Sequence, residues 1–465
     1  MSILPIDLLF CKLLFRAALR LCSLPPTHPL HFLVRTAASR KIKRHLSPLH
    51  RLVYFSHLSP KDIKSISPVR RSPGYAPSFS ITINPTKEDA LLSAILTNAT
   101  VPIRVYSDSS GFEGGIGASA LLFINNRLSK TLHYYLGTEK EHTVYEAEGV
   151  GLAMGLHLLK GLNRQFSHSA ALGTDSQALI KALDNQRSHA GQYILDNIHQ
   201  AAEQLHAKQD GLLNRVERAA VTRSGGVWTG RTKGVFDLQL HWVPGHCDFE
   251  PNEMADEEAK KAAQGNSSDA KLLPSFLRKR IPLSVSALRQ GNIIKLKNRW
   301  ERRWKTSARK NLLHSIDNTA PSKKFIQLTK GLDRRQASLL FQLRTGHIPL
   351  NHHLFRIRKA ETPACPHCRG ITVETVKHFL LDCPQYTQER HTLRNKLRRN
   401  SSSISFLLSN PSAALPVLKF VHSSGRFKTF FGKDDKIETN KNAELRTAFN
   451  DLNARMEVMR REPRH

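Results

Sequence analysis

The chain has 465 residues, with 70 Lys+Arg against 38 Asp+Glu and a formal net charge of +32. Its 40% hydrophobic content is enough for a buried core and excludes a wholly disordered chain. The charge is segmental: 14 basic and 4 acidic residues over 1–100, 16 and 19 over 101–265, and 40 and 15 over 266–465. An acid-leaning centre between basic flanks points to a polyanionic partner, most simply nucleic acid, rather than to a merely solvated basic surface. The length predicts roughly two to four domains.

The first 40 residues read as an N-terminal helical segment. Lys12, Arg16 and Arg20 fall four apart, opposite the leucines. That pattern suits an amphipathic helix that packs on something, or a mitochondrial presequence. No apolar run approaches the ~20 residues needed to span a bilayer, so no membrane role is expected. Six cysteines are too few for a disulfide scaffold. They fit a reducing compartment, nuclear or cytoplasmic rather than secreted. Residues 41–100 are rich in Pro, Ser and Arg and read as a linker, or as an extended segment laid over a neighbour.

The pattern changes at residue 101. IRVYSD, IGASALLFI and LSKTLHYYLG read as an antiparallel strand triplet. A helix follows over 143–162, with Val144, Glu148, Gly151, Leu152, Gly155, Leu156 and Leu159 on one stripe. ALGTD is a fourth strand, FDLQLHWV a fifth, and a last helix covers 251–264. The order predicts an α/β domain over 101–265 with a mixed five-stranded sheet flanked by helices. Residues 207–234 read as an inserted loop. From 284 to 400 the chain reads as basic and mostly helical, and 401–465 as a weakly ordered basic tail.

Four acids in the central block sit where strand ends and inward helix faces meet. Asp108 and Asp175 stand at the ends of the first and fourth strands. Glu148 lies on the apolar stripe of its helix, and Asp256 on the small-residue side of the last helix. Four converging carboxylates repel unless cations join them. Mg²⁺ suits such a set, with Mn²⁺ as a substitute, and two ions about 4 Å apart can serve phosphodiester hydrolysis.

VYSDSSG, TVYEAEGVGLAMGL, LGTDSQALIKAL and HWVPGHCDFEPNEMADEEAKKA together resemble the type 1 ribonuclease H domain, over about residues 101–265. The resemblance implies a ribonuclease H-like fold and a four-acid metal site of Asp108, Glu148, Asp175 and Asp256. Asp108 and Asp256 would bind one ion, and Asp108, Glu148 and Asp175 the other. Glu146 competes with Glu148, but it falls off the apolar stripe. The resemblance also implies that His246 is the catalytic histidine and that Asn252 braces its loop. It implies hydrolysis of the RNA strand of RNA–DNA hybrids. The chain departs from the family in Ser109, where Gly is common, and in lacking a basic protrusion near 184–191. Hybrid binding would then fall to Arg215, Arg218, Arg223, Arg231 and Lys233, or to the basic flanks.

Cys365, Cys368, His378 and Cys383 have the spacing of a Cys₃His zinc site, which would be structural. His367 is an alternative ligand. Trp300 and Trp304, among basic residues, could stack bases or form a packed stripe. The stretch LLFQLRTGHIPLNHHLFRIRKAETPACPHC resembles the C-terminal end of LINE-type retrotransposon polyproteins, and LLFRAALRLCSLPPTHPL and SPVRRSPGYAPSF resemble the segment that joins their reverse transcriptase to ribonuclease H. That resemblance implies a separate reverse transcriptase as partner. Two other readings stay open: a non-catalytic nucleic-acid-binding remnant of a retroelement, and a DNA-cutting relative of the same fold.

Overall fold

The computed structural model describes residues 4–39, 45–66, 75, 77–166, 169–185, 191–227, 236–245, 247–308, 310–319 and 324–427. The chain divides into two compact units, Asp7–Leu296 and Lys297–His465 with Met1–Ile6.

The first unit opens with helices α1 (Ile6–Cys22), α2 (His31–Ser39) and α3 (Pro48–Ser56). Strand β1 (Ser80–Thr82) and helix α4 (Lys87–Thr100) follow. Next come β2 (Ile103–Phe112), β3 (Gly115–Ile124), β4 (Arg127–Thr138), α5 (Val144–Lys160) and β5 (Ser169–Thr174). Helices α6 (Gln177–Asp184) and α7 (Gln192–Arg223), strand β6 (Asp237–Trp242) and helix α8 (Glu250–Ala263) complete the domain. The strands form one sheet in the order β1-β6-β5-β2-β3-β4. β2, β3 and β4 are antiparallel, joined by the pairs Glu113-Gly114 and Asn125-Asn126, all at positive φ. Such two-residue turns match the strand twist. β5, β6 and β1 continue the sheet in parallel.

Alternation along the strands separates two cores. Ile103, Val105, Ala118, Ala120 and Leu122 bury themselves with residues of α5 and α7. Tyr106, Leu121 and Phe123 pack with Ala94 of α4 and Ala255 of α8 on the other face. Each large apolar side chain so buried contributes about 2 kcal/mol. Gly151 lets α5 close on the sheet: a Cβ there would meet Ser119 O at 2.9 Å. α1, α2 and α3 form a separate small cluster through Leu19, Cys22, Val34 and Val53, which also takes in Ile63 and Leu283. α1 is thus the packing amphipathic helix. Among the described residues no helix is long and apolar enough to cross a membrane.

Several expectations need correction. The sheet has six strands, not five, because three-residue β1 adds in parallel to the β6 edge. A strand this short, set between prolines, carries no readable alternation. Residues 41–100 are not one linker, since they include α3, β1 and α4. Part of this stretch is laid over a neighbour: Phe79 stacks on His199 of α7 with ring centroids 5.4 Å apart. Residues 207–223 are helix rather than loop, because α7 runs on to Arg223, and 228–234 of the expected loop lie outside the described residues. Past Leu205 that helix buries only Gln209, so the apolar period that marks a helix fades while the helix continues. Asp108 lies within β2, not at its end.

The second unit is helical. α9 (Val285–Lys305) contains the division between the units and is followed by α10 (Lys310–Ile316), α11 (Lys324–Leu328), α12 (Arg334–Thr345) and α13 (Asn351–Arg356). Then come α14 (Thr387–Leu397), α15 (Ile404–Ser409) and α16 (Pro411–Ser423). Leu407, Leu408, Val417, Phe420 and Val421 belong to its core, so 401–427 is not a weak tail. The rest of that tail lies outside the described residues. Trp300 and Trp304 are half-buried on α9.

Gly117 faces α8 so closely that a Cβ would stand 2.2 Å from Ala263 N. Gly117→Ala is expected to cost about 2 kcal/mol and to lower the thermal midpoint by several degrees. Gly211→Ala, on open surface of α7, is expected to hold or slightly raise it. Thermal unfolding of the two variants checks the packing of α8.

Candidate active site and metal centre

β2 and β5 pair in parallel through Tyr106↔Gly173 and Ser107↔Thr174, where the recorded pairing ends. The next residues of the two strands are Asp108 and Asp175, so their carboxylates leave the ladder side by side. Glu148 comes down from α5 onto the same spot. Ligand oxygens of Asp108, Glu148 and Asp175 all lie within 4.8 Å of one another. Trp242 Nε1 donates to Asp175 O at 3.0 Å and fixes that strand end. Gly245 leaves room for the Asp175 side chain, since a Cβ there would meet Oδ2 at 2.9 Å.

Asp108 and Glu148 are buried, and Asp175 is half-buried. Burial, followed by the charges of Asp175 and Glu148, raises the Asp108 carboxyl far above the usual carboxylate range. Burial and then Asp175 raise Glu148. Ser109 N donates to Asp108 Oδ1 at 2.6 Å, and Ser109 Oγ donates to Glu148 Oε1 at 2.5 Å. Glu148 Oε2 is buried with no hydrogen-bond partner. A buried acceptor without a donor costs free energy unless a cation or proton meets it. Hard oxygen donors, mutual repulsion and an orphaned oxygen together fit a divalent cation of the Mg²⁺ or Mn²⁺ type.

Glu146 and Glu148 differ in their hydrogen bonds. Glu146 forms a capping box with Thr143 at the start of α5. Its Oε2 accepts from Thr143 N at 3.1 Å and from Thr143 Oγ1 at 3.2 Å. Glu146 is nonetheless buried, because α7 also covers α5 and nearly every face of that helix is inside.

Asp256 is adjacent rather than part of the three-acid cluster. Ser119, paired with Asp108 across β2 and β3, donates its Oγ to Ala255 O at 2.6 Å and so draws α8 towards the site. Asp256 itself accepts from Lys260 Nζ at 2.5 Å. Asn252 is buried, and its Oδ1 has no hydrogen-bond partner. His246 lies outside the described residues, as do Arg231 and Lys233. Arg215, Arg218 and Arg223 are exposed on α7 rather than in a loop. The sequence reading missed Lys260 and the work of Ser109. An i,i+4 Asp–Lys pair was visible for the first. For the second, only the folded contact between β2 and α5 reveals the hydroxyl's partner.

In the second unit, Cys365, Cys368, His378 and Cys383 bring their ligand atoms within 4.8 Å of one another. A bridge between Ala364 and Val373 closes the turn that carries the first two cysteines. His378 begins a short π-helical turn, and Cys383 follows it. Cys365 Sγ stands 3.8 Å and Cys368 Sγ 3.9 Å from Cys383 Sγ, with His378 Nε2 3.4 Å from Cys368 Sγ. A disulfide needs about 2.05 Å. The edges of a tetrahedron with zinc at its centre are about 3.8 Å for S···S and about 3.6 Å for S···N. The cluster could therefore hold Zn²⁺ with no open position. His367 is turned aside and sets its ring edge-on to Tyr386 at 5.8 Å.

No family model matches the chain, and no curated protein matches it. Among solved structures, the chain is similar to RNase H1 from the halophilic archaeon Halobacterium salinarum NRC-1. That similarity has 17% identity and a TM-score of 0.24, covering 35% of this chain and 98% of that one. The N-terminal RNase H domain of rv2228c from Mycobacterium tuberculosis, solved as a maltose-binding-protein fusion, has the same four values. LC11-RNase H1 in complex with an RNA/DNA hybrid is 14% identical, with a TM-score of 0.24 over 35% of this chain and 96% of that one. Likeness at this level assigns neither family nor activity.

Two outcomes follow from the geometry. Without divalent metal the fold binds more protons at Asp108 and Glu148 than the unfolded chain does. Stability is then greatest below the unfolded carboxylate range and is lost as pH rises through the raised folded values. Thermal midpoints in metal-free buffer are expected to fall from about pH 5 upward, and Mg²⁺ or Asp108→Asn to reduce the fall. Elemental analysis of purified protein is expected to find one zinc per chain. Cys383→Ser should lose it and lower the stability of the second unit, while Asp108→Asn keeps it.

Proposed function

We propose that the chain is a divalent-metal-dependent nuclease of ribonuclease H type that hydrolyses the RNA strand of RNA–DNA hybrids. The observation that supports this best is the convergence of Asp108, Glu148 and Asp175 at the parallel edge of β2, with Asp256 on α8 beside them. On this reading Asp108, Glu148 and Asp175 hold one Mg²⁺, and Asp108 and Asp256 hold a second. Bound there, Mg²⁺ supplies a nucleophilic water at neutral pH and stabilises charge on the phosphodiester oxygens.

The chain's own residues prepare that chemistry. Ser109 keeps the Glu148 carboxylate aimed at the cluster. The Trp242 indole and Gly245 keep Asp175 at the strand end. Lys260 neutralises Asp256 in the absence of a cation and must yield when one binds. His246, two residues after the strand-end Pro-Gly turn begins, is proposed to move protons as product leaves. The exposed arginines of α7 and the basic flanks are proposed to grip the hybrid. A zinc-held second unit would add basic surface. The retroelement origin, and with it a separate reverse transcriptase as partner, is a proposal carried by the flanking sequence alone.

The test is cleavage of a labelled RNA–DNA hybrid by the full chain in Mg²⁺, with single-stranded RNA and duplex DNA as controls. Hybrid-only cutting is expected. Asp108→Asn is expected to reduce it by about a thousandfold or more, some 4 kcal/mol of transition-state stabilisation. Salt-sensitive hybrid binding without cutting would contradict the enzymatic reading and favour the non-catalytic remnant. Cutting of duplex DNA would favour the DNA nuclease.

A further inference from the structure

The second unit carries a cavity of about 310 Å³ whose residues the nuclease reading does not use. Its walls are apolar, with Leu343, Ile348, Leu350, Val376 and Leu408 among them. Five basic side chains also line it: Arg344, His352, His353, Arg356 and Lys377. The charge balance is one-sided. Glu374 is the acid lining the cavity, and both of its oxygens are taken by Arg426, at 2.7 and 2.8 Å. Glu374 Oε2 also accepts from Asn351 N at 2.6 Å. Arg344 is paired with buried Asp317 at 3.2 Å. That leaves Arg356 and Lys377, both exposed, and two half-buried histidines facing one opening.

His353 is the unusual member. Its Nδ1 is buried without a hydrogen-bond partner, and the His347 ring stands edge-on to it at 5.1 Å. Burial, and then the charges of His347, Arg356 and His352, lower its pKa. The neutral ring is thereby favoured, and it is flat enough to stack a base as aromatic residues do in single-strand readers. A volume near 300 Å³ lies at the small end of ligand pockets, too small for a duplex and suited to one planar group with its phosphate.

We propose that this cavity captures one unpaired nucleotide of a single-stranded nucleic acid, its base against His353 and the apolar wall and its flanking phosphates on Arg356 and Lys377. Such a site would hold an unpaired strand rather than a duplex. The proposal goes beyond the nuclease reading and does not need it to be correct.

The test uses the full chain with Asp108→Asn, in Mg²⁺-free buffer without chelator, so that neither cleavage nor zinc loss intrudes. Fluorescence anisotropy compares a labelled single strand of roughly a dozen nucleotides with an abasic copy of equal charge, at fixed salt. The abasic strand is expected to bind about tenfold more weakly. Adding His353→Ala should remove that difference. Adding Arg356→Ala and Lys377→Ala should weaken both strands together and reduce the salt dependence. Crosslinks from 5-iodouridine should map to residues 343–356. Equal binding of the intact and abasic strands would overturn the proposal, and that comparison needs no substitution in the cavity. So would crosslinks confined to the first unit, or binding of a free mononucleotide that the strand does not displace.

Discussion

One pairing register governs the candidate site. β2 and β5 run parallel and pair through Ser107↔Thr174, so the chain must place Asp108 and Asp175 next to each other as the recorded ladder ends. A shift of one residue in either strand would turn one carboxylate to the opposite face of the sheet. The buried side chains on both faces of β2 forbid such a shift. Glu148 joins because α5 can approach the sheet at Gly151, and Ser109 then reaches across to it. The acids are held together against their mutual repulsion by packing elsewhere. Such repulsion is relieved by shared protons or by a bound cation.

Much of this was legible from short-range pattern. The alternation of β2 and β3, Asp175 just past its strand and the out-of-place Glu148 all carry local signals. So does the Cys-x₂-Cys spacing, and the structure brings ligand atoms of Cys365, Cys368, His378 and Cys383 within 4.8 Å of one another, with His367 outside that group. What escaped depends on contacts between distant segments. β1 is three residues long and exists only because β6 offers an edge. The second half of α7 has no buried stripe, so its helix was read as a loop. Glu146 was set below Glu148 because it falls off the apolar stripe. It is buried too, and capping rather than exposure occupies it.

The fourth acid shows how sequence order and geometry divide the work. Asp256 is brought near the cluster by the Ser119–Ala255 hydrogen bond, which ties α8 to the strand carrying the partner of Asp108. Its carboxylate is turned to Lys260 one helical turn on. An ion pair with an exposed lysine of this kind contributes little to stability. The two units thus present different donor sets. The first unit offers hard, repelling oxygens with a free valence, and the second a closed sulfur–nitrogen set suited to holding a fold.

The central claim is that the sheet end of the first unit binds a divalent cation through Asp108, Glu148 and Asp175. Anomalous diffraction from crystals of the full chain grown with Mn²⁺ tests it most directly. A peak about 2.2 Å from oxygens of all three side chains is predicted, with the orphaned Glu148 Oε2 among the ligands. A map with no peak between them, in crystals that hold Mn²⁺ elsewhere, would contradict the account and leave three buried acids that share protons instead.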